Sequence, residues 1–272
     1  MINRISILGC GWLGLPLGAA LAQKGYEVKG STTRPEKLAA IRQQGIEPYL
    51  IQVNEEVEGP QKESFFDAGL LILNIPPGGR RNPEVEQQYP QQVKAVVEHI
   101  HSGAIEYLIF VSSTSVYGDE NREVTEADEP APSTASGRAL VVIERYLALL
   151  ERPRTTILRL GGLVGGNRQP GRFLAGKKDV PNGKAPVNLV HLDDCIGVIE
   201  AVIGQGAWGQ TFNVCAGLHP TRAEFYTAQA KKQGLAPPTF RAGEQLAYKI
   251  VSNGKVRKAL GYAFRWPDPM GF

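Results

Sequence analysis

Three glycines in the spacing Gly-x-Gly-x-x-Gly constrain the fold of this chain more than any other feature. They are Gly9, Gly11 and Gly14, which follow the apolar run Ile5–Leu8 and open the helical pattern Leu13–Lys24. Glycines at this spacing between a strand and a helix allow a tight turn and let a phosphate approach the backbone. The sequence therefore predicts a parallel α/β sheet whose first loop binds the pyrophosphate of a dinucleotide.

The alternation of strand and helix continues along the chain. Further β-rich runs are Tyr26–Gly30, Tyr49–Gln52, Leu70–Ile75, Tyr107–Ser112, Thr155–Leu160, Val187–His191 and Thr211–Val214. Helical patterns are Glu36–Gln44, Glu84–His101, Gly137–Leu150 and Asp193–Ile203, with small helices near 220–233 and 252–260. Such alternation is typical of βαβ units. We expect a doubly wound parallel sheet, the Rossmann fold, over residues 1–160 and 187–215. A small C-terminal substrate lobe would comprise residues 161–186 and 216–272.

Composition narrows the class of protein. The net charge of +3 includes no Lys/Arg block, which argues against nucleic-acid binding, and no apolar run is long enough to predict a membrane span or signal peptide. Cys10, Cys195 and Cys215 lack metal-ligand spacing, so we expect reduced thiols of a cytoplasmic protein and no metal site. The acidic stretch Asp119–Glu129 is predicted to be a solvated loop.

The segment after the second strand predicts which dinucleotide binds. An NAD site usually places Asp or Glu there, whereas this chain has Ser31, Thr32, Thr33 and then Arg34. Hydroxyl groups and a guanidinium suit the 2′-phosphate of NADP, which a carboxylate would repel. We therefore predict NADP in preference to NAD. The alternative is that Arg34 merely begins the next helix together with Pro35.

Several motifs in a fixed order resemble one family. They are Gly9–Gly14, Phe110–Gly118 (Phe-Val-Ser-Ser-Thr-Ser-Val-Tyr-Gly), Ile157–Leu160, Asn188–Asp194 and Phe212–Val214. Together they resemble the extended short-chain dehydrogenase/reductases, the NAD(P)-dependent epimerase/dehydratase group that acts largely on nucleotide sugars. The resemblance runs nearly end to end and implies a small-molecule substrate.

The resemblance, taken with the glycine loop, implies a set of site residues. The predicted cofactor-binding residues are Gly9, Gly11, Trp12, Leu13, Gly14, Ser31, Thr32, Arg34, Asn74, Ile75, Pro76 and Ser112. Ser113 matches the family's catalytic hydroxyl, which would hold the reacting oxygen of the substrate beside the nicotinamide. Alternatively, Ser113 only ends a buried strand. Tyr117 matches a residue of the following turn and is predicted to be structural.

The chain departs from the family at the residues that transfer the proton. None of the nine tyrosines has a lysine four residues later. The family's Tyr-x-x-x-Lys aligns with Ser136 and Leu140; serine ionises far less readily than tyrosine, and leucine cannot lower a pKa. We predict that Ser136 is a helix N-cap. The family's diphosphate-binding Arg and its Asn after the sixth strand are replaced by Val187 and Gly162.

A basic segment offers another way to bind a substrate. Arg168, Arg172 and Lys177 lie within Asn167–Lys178, and guanidinium groups match carboxylates and phosphates. We predict that Arg172 takes part in catalysis on an anionic substrate; the alternative is a solvated loop. His191 is predicted to be a structural residue. Capping of the following helix is expected for Asp193 or Asp194.

These observations leave functional alternatives open. One is an NADP-dependent reductase, epimerase or dehydratase acting on a small, anionic or sugar-like substrate. Another is an NADP(H)-binding sensor without catalytic activity, which the missing Tyr and Lys would permit. A 3-hydroxyacid-type dehydrogenase has a similar beginning, but this chain lacks the long helical domain of that class. Whether the chain forms a homodimer is left open.

Overall fold

The structure of the chain is a computed structural model that describes residues 2–78, 82–100, 103–243 and 245–272. The strands are β1 (Arg4–Leu8), β2 (Glu27–Thr32), β3 (Glu47–Leu50), β4 (Gln52–Val53), β5 (Val57–Glu58), β6 (Leu70–Leu73), β7 (Tyr107–Ser113), β8 (Arg122–Val124), β9 (Arg154–Leu160), β10 (Gly162–Val164), β11 (Leu189–His191), β12 (Thr211–Val214) and β13 (Lys249–Val251). The helices are α1 (Gly14–Gln23), α2 (Leu38–Gln43), α3 (Lys62–Phe66), α4 (Val85–Ile100), α5 (Ala135–Ala148), α6 (Leu192–Gln205), α7 (Arg222–Lys232) and α8 (Gly254–Leu260). His101, the predicted last residue of the fourth helix, lies outside the described residues.

The central sheet has seven strands in the order β12-β9-β7-β6-β1-β2-β3. Parallel pairing joins β1 to both β2 and β6, β2 to β3, and β6 to β7. Strands of a parallel sheet are covered on both faces, which explains why all four residues of β6 are buried and apolar. The predicted Rossmann-type α/β fold is confirmed.

The described chain divides into two compact units. The first comprises Met1–Val116, Pro132–Leu158 and Val202–Thr211, and the second comprises Tyr117–Ala131, Arg159–Ala201 and Phe212–Phe272. Their bounds differ from those of the predicted domains, and the predicted division stays a prediction. The first unit contains β1, β2, β3, β6 and β7, and therefore the glycine loop.

The acidic stretch is more ordered than a solvated loop, because part of it forms β8, which pairs with β13. Arg122 forms ion pairs with Glu120 and Asp128 at 2.6 Å each. Lys249 forms a third with Asp119 at 2.8 Å. Residues 119–123 are exposed, as the prediction of a solvated loop has it, while the pairing with β13 and the ion pair with Lys249 come from residues distant in the sequence.

None of the helices in the described part of the chain is both long and apolar enough to cross a membrane. The three cysteines are buried thiols without a disulfide partner. Among the described residues there is no group of three or more His, Cys, Asp or Glu side chains arranged to hold a metal ion.

Candidate functional site

The carboxyl ends of β1, β2 and β6 open into a cleft of about 640 Å³ in the first unit. Ligands of open parallel sheets bind at this edge, just beyond the strand ends. The residues lining it are Leu8, Gly9, Cys10, Gly11, Ser31, Thr32, Thr33, Arg34, Lys37, Ile51, Gln52, Val53, Asn54, Asn74, Ile75, Pro76 and Gln92. The cleft thus brings together most of the predicted cofactor-binding residues.

Each glycine of the loop occupies a different environment. Gly9 has a φ of +109°, and a Cβ there would lie 2.7 Å from the carbonyl oxygen of Asn74. A Cβ on Gly14 would lie 2.2 Å from the carbonyl oxygen of Gly9. A Cβ on Gly11 would have no described atom within 4 Å, because Gly11 faces the cleft. Gly9 and Gly14 therefore shape the loop, and Gly11 leaves room for a ligand.

The backbone of Gly9 is held from the strands on both sides of β1. Its N–H donates to Ser31 Oγ at 2.9 Å, and its carbonyl accepts from Asn74 Nδ2 at 3.0 Å. The Cys10 N–H donates to the Ser31 carbonyl at 2.8 Å. Burial raises the pKa of the Cys10 thiol to about 12, so this loop cysteine stays protonated.

The segment after β2 presents only part of the predicted contact set to solvent. Ser31 is 2% exposed, and its hydroxyl is bound to Gly9. Thr32 Oγ1 accepts the N–H of Arg34 at 3.1 Å, which shapes the turn. Thr33 and Arg34 are exposed. Arg34 precedes a short 3-10 helix over Pro35–Lys37 and also lines the cleft.

Lys37 is a cleft residue that the sequence reasoning missed. It is exposed and donates its backbone N–H to the carbonyl oxygen of Arg34 at 3.0 Å. Its position three residues after Arg34 was an available signal, since one turn of 3-10 helix returns a residue to the same face. The described lining of the cleft therefore has two cationic side chains, Arg34 and Lys37, of which only Arg34 was predicted.

The segment Asn74–Pro76 follows β6 and is fixed by two neighbours. The Asn74 N–H donates to the Leu8 carbonyl at 3.0 Å, which extends the β1–β6 pairing. The hydroxyl of Tyr89, on α4, donates to the Ile75 carbonyl at 2.7 Å. Tyr89 is 1% exposed, and burial raises its pKa, so it remains a neutral donor.

The two serines at the end of β7 have different roles in the structure. Ser112 is buried, and its hydroxyl donates to Glu144 Oε1 of α5 at 2.5 Å. Ser113 Oγ accepts the N–H of Ser115 at 3.1 Å, which leaves its own proton available for a ligand. Neither serine belongs to the described lining of the cleft, nor do Trp12, Leu13 and Gly14. Contacts of these five residues with a cofactor stay predictions.

Helix α5 carries the positions that align with the family's proton-transfer pair. Its N-cap is Thr134, whose hydroxyl accepts the Gly137 N–H at 3.1 Å, so the prediction that Ser136 caps the helix was wrong. Ser136 Oγ lies 3.5 Å from Thr134 Oγ1. Leu140 is 3% exposed and Glu144 is buried against Ser112. Where the family's lysine has its ammonium group, α5 has the buried apolar side chain of Leu140. One turn further along, Glu144 is already bonded to Ser112.

The basic residues predicted to bind a substrate belong to the second unit. Arg172 ends a 3-10 helix over Pro170–Arg172 that packs on α7, where a Cβ on Gly171 would lie 2.4 Å from the Gln229 carbonyl. Arg172 and Lys177 are exposed. Arg168 exchanges both backbone hydrogen bonds with Gly165. Their roles toward a ligand stay predictions.

Tyr117 lies in a buried polar cluster of the second unit. Its hydroxyl accepts from Arg159 Nη1 at 2.6 Å and donates to Asn213 Oδ1 at 2.9 Å. Burial raises the pKa of Tyr117, and the neighbouring Arg159 partly opposes that rise. A buried tyrosine with both hydrogen bonds satisfied supports the predicted structural role.

The residues around His191 form a second cluster. His191 Nδ1 accepts the Asp193 N–H at 3.2 Å, and its ring lies 4.7 Å from that of Trp266. Asp193 accepts from Trp266 Nε1, while Asp194 accepts from the Tyr262 hydroxyl and from the N–H of Trp266. Both carboxylates lie in the first turn of α6 and bind the C-terminal segment; that one of them caps the helix stays a prediction.

No family model matches the chain. Protein YeeZ of Escherichia coli (strain K12) is 38% identical over 272 residues, which cover 99% of this chain and 98% of YeeZ. The chain belongs to the YeeZ family.

Solved structures agree on the fold. A conserved protein of unknown function from Silicibacter pomeroyi superimposes with a TM-score of 0.81 at 24% identity, covering 99% of this chain and 96% of that one. A short-chain dehydrogenase/reductase superfamily protein from Agrobacterium tumefaciens, with bound NAD, gives 0.80 at 19% identity, covering 98% and 94%. UDP-glucuronic acid 4-epimerase from Bacillus cereus, in complex with a UDP-sugar derivative and NAD, gives 0.80 at 16% identity, covering 98% and 95%. The chain shares the fold of these proteins.

Proposed function

We propose that this cleft binds NADP(H). The observation that carries the proposal is the pairing of the glycine loop with Arg34 and Lys37 in one cleft at the carboxyl edge of the sheet. No Asp or Glu is among the described residues lining the cleft, so the 2′-phosphate would meet cations and no opposing charge. The NAD bound to solved structures of this fold supports a nicotinamide dinucleotide in general.

The residues fit distinct parts of the dinucleotide. The loop around Gly11 would receive the pyrophosphate, because it is open to the cleft and leads into the N-terminus of α1. Arg34 and Lys37 would bind the 2′-phosphate. Asn74–Pro76 would border the nicotinamide half. When bound, the cofactor supplies a hydride donor or acceptor.

The reaction we propose is oxidation–reduction of the epimerase or dehydratase type in the cytoplasm, on a small, anionic or sugar-like substrate. Ser113 would hold the substrate's reacting oxygen, since its proton is free while its oxygen accepts the Ser115 N–H. Arg172, exposed in the second unit, would bind an anionic group of the substrate. Proteins of this fold that bind UDP-sugars support the substrate class.

A second candidate function is that of an NADP(H)-binding sensor without turnover. Helix α5 favours it, because the position of the family's lysine is the buried Leu140 and that of its tyrosine is Ser136. A serine hydroxyl without a neighbouring ammonium group is a poor acid or base at neutral pH. In this case the chain would bind the cofactor and transfer no hydride.

Calorimetric titration with NADPH and NADH tests the cofactor proposal. We expect tighter binding of NADPH, and about tenfold or greater loss of NADPH affinity in Arg34→Ala, because a hydrogen bond to a charged group contributes about 1.5–3 kcal/mol. Arg42→Ala is the matched control, since Arg42 is exposed on α2 and is not part of the described lining. Equal affinities for both cofactors, with no effect of Arg34→Ala, would contradict the proposal.

A substrate screen that follows NADPH absorbance separates the two functions. An enzyme should show turnover that falls in Ser113→Ala and in Arg172→Ala and persists in Ser136→Ala. A sensor should bind the cofactor tightly and transfer no hydride to any substrate. Turnover that collapses in Ser136→Ala would show that the family's base position is still in use.

A further inference from the structure

The glycine loop leaves β1, the strand that lies between β6 and β2 in the sheet. One side chain from each flank bonds the backbone of the same loop residue, Gly9, through the two successive peptide units that meet at its Cα. Ser31, in β2, accepts the Gly9 N–H, and Asn74, directly after β6, donates to the Gly9 carbonyl. The Gly9 carbonyl also accepts the N–H of Gly11 at 2.9 Å. The loop's first residue is thus fixed in the plane of the sheet.

We infer that Ser31 and Asn74 are positioning residues that set the loop's conformation for a pyrophosphate. Ser31 lines the cleft but is only 2% exposed, and its hydroxyl oxygen already accepts the Gly9 N–H, so we assign its side chain to the loop. Gly9 has a φ of +109°, and because glycine lacks a Cβ it restricts its own backbone less than other residues do. The two side chains supply that restraint, and the ligand then meets a preformed loop.

The restraint reaches Gly11 through the Gly9 carbonyl. If the Asn74 amide is removed, the Gly9 carbonyl keeps only the Gly11 N–H as a partner, and the bond from the Cys10 N–H to the Ser31 carbonyl is left to hold the Gly9–Cys10 peptide from its other side. With one of its three bonds lost, this peptide can tilt toward the cleft. A carbonyl oxygen turned toward the cleft would repel a pyrophosphate. The 2′-phosphate end, at Arg34 and Lys37, would be unaffected. This inference rests on the proposed binding of NADP(H), and it predicts a split between ligands that have a pyrophosphate and ligands that lack it.

The split is measured by calorimetry with NADPH and with adenosine 2′-monophosphate, together with the melting temperature of each variant. In Asn74→Ala we expect NADPH affinity to fall about tenfold, with adenosine 2′-monophosphate affinity within about twofold of wild type. Ser31→Ala should give the same pattern. Asn3→Ala, the same change at an exposed asparagine before β1, should alter neither affinity.

Results that differ from this pattern contradict the inference in distinguishable ways. Equal loss for both ligands with a lower melting temperature would mean that Asn74 only stabilises the fold. Loss in Asn74→Ala without loss in Ser31→Ala would make Asn74 a direct ligand contact. If Asn74→Ala fails to fold, the pattern in Ser31→Ala decides alone. A wild-type chain that binds neither ligand refutes the proposed function itself, whereas one that binds both and is insensitive to Asn74→Ala and Ser31→Ala refutes only the positioning role.

Discussion

Two alanine substitutions in the glycine loop should separate binding from stability. In Gly11→Ala the new methyl would have no described atom within 4 Å, whereas in Gly14→Ala it would lie 2.2 Å from the backbone oxygen of Gly9 and 3.1 Å from Asn74 Nδ2. The same chemical change thus enters open cleft at one position and packed backbone at the other. We expect Gly11→Ala to weaken cofactor binding and Gly14→Ala to lower the stability of the fold.

The magnitudes follow from these distances. Gly11→Ala should change the free energy of unfolding by no more than about 0.5 kcal/mol, or stabilise slightly by restricting the unfolded chain. It should weaken NADPH binding at least about tenfold, because the methyl occupies the path of the pyrophosphate. In Gly14→Ala the new methyl clashes with a backbone oxygen, so rotating a side chain cannot relieve the clash. We expect a loss of about 1–3 kcal/mol, which lowers the melting temperature by roughly 2–12 °C for a chain of this size.

The assay is thermal unfolding of both variants without ligand, followed by calorimetric titration with NADPH. Gly204→Ala is a suitable control, since a Cβ there also meets no described atom within 4 Å and Gly204 lies in α6, outside the described lining of the cleft. The reasoning is refuted if Gly11→Ala binds NADPH like wild type, or if Gly14→Ala is as stable as wild type.

Two further predictions concern stability. Tyr89→Phe keeps the buried ring and removes the hydrogen bond to the Ile75 carbonyl. We expect the free energy of unfolding to fall by about 1 kcal/mol and the melting temperature by roughly 2–4 °C. An unchanged melting temperature would show that solvent replaces the bond. The hydrogen bond from the backbone N–H of Thr125, followed by that from Arg122, lowers the pKa of Asp128 from 3.8 to about 2. A carboxyl group whose pKa is lower in the folded than in the unfolded chain stabilises the fold at pH values above its unfolded pKa. This stability is lost as the pH falls from about 4 to about 2, so the free energy of unfolding of wild type and of Asp128→Asn should change with pH at different slopes over that range. Parallel acid-unfolding profiles would contradict this.

Long apolar runs and their alternation with helices were sufficient to predict the central sheet. All seven strands of the sheet overlap predicted runs, because a strand buried on both faces of a parallel sheet is rich in apolar residues. The elements missed are short ones, such as the hairpin of β4 and β5 and the five-residue α3. Segments of this length are too short to show a periodic pattern, and tertiary contacts decide their conformation.

The candidate site was predicted in position more accurately than in the role of each side chain. Ser31 and Asn74 lie at the cleft, but Ser31 Oγ and Asn74 Nδ2 are bonded to the backbone of Gly9. A hydroxyl or amide at a strand end suits a ligand and a loop carbonyl equally, and only the fold shows which is within reach. The same ambiguity misassigned the N-cap of α5, since Ser133, Thr134 and Ser136 are all capping residue types and Thr134 alone bonds Gly137.

The order of strands in the sheet has a consequence for the nascent chain. β1 lies between β2 and β6, yet about forty residues separate the end of β2 from the end of β6. At synthesis rates of about 5–20 residues per second, one edge of β1 stays unpaired for roughly 2–8 s after β2 has emerged. The faces of the same strand carry the apolar side chains Ile5, Ile7 and Leu8, which are all buried in the finished sheet. During this interval an unpaired apolar strand can join another chain, so β1 is where we expect misassembly to begin when synthesis stalls before residue 70.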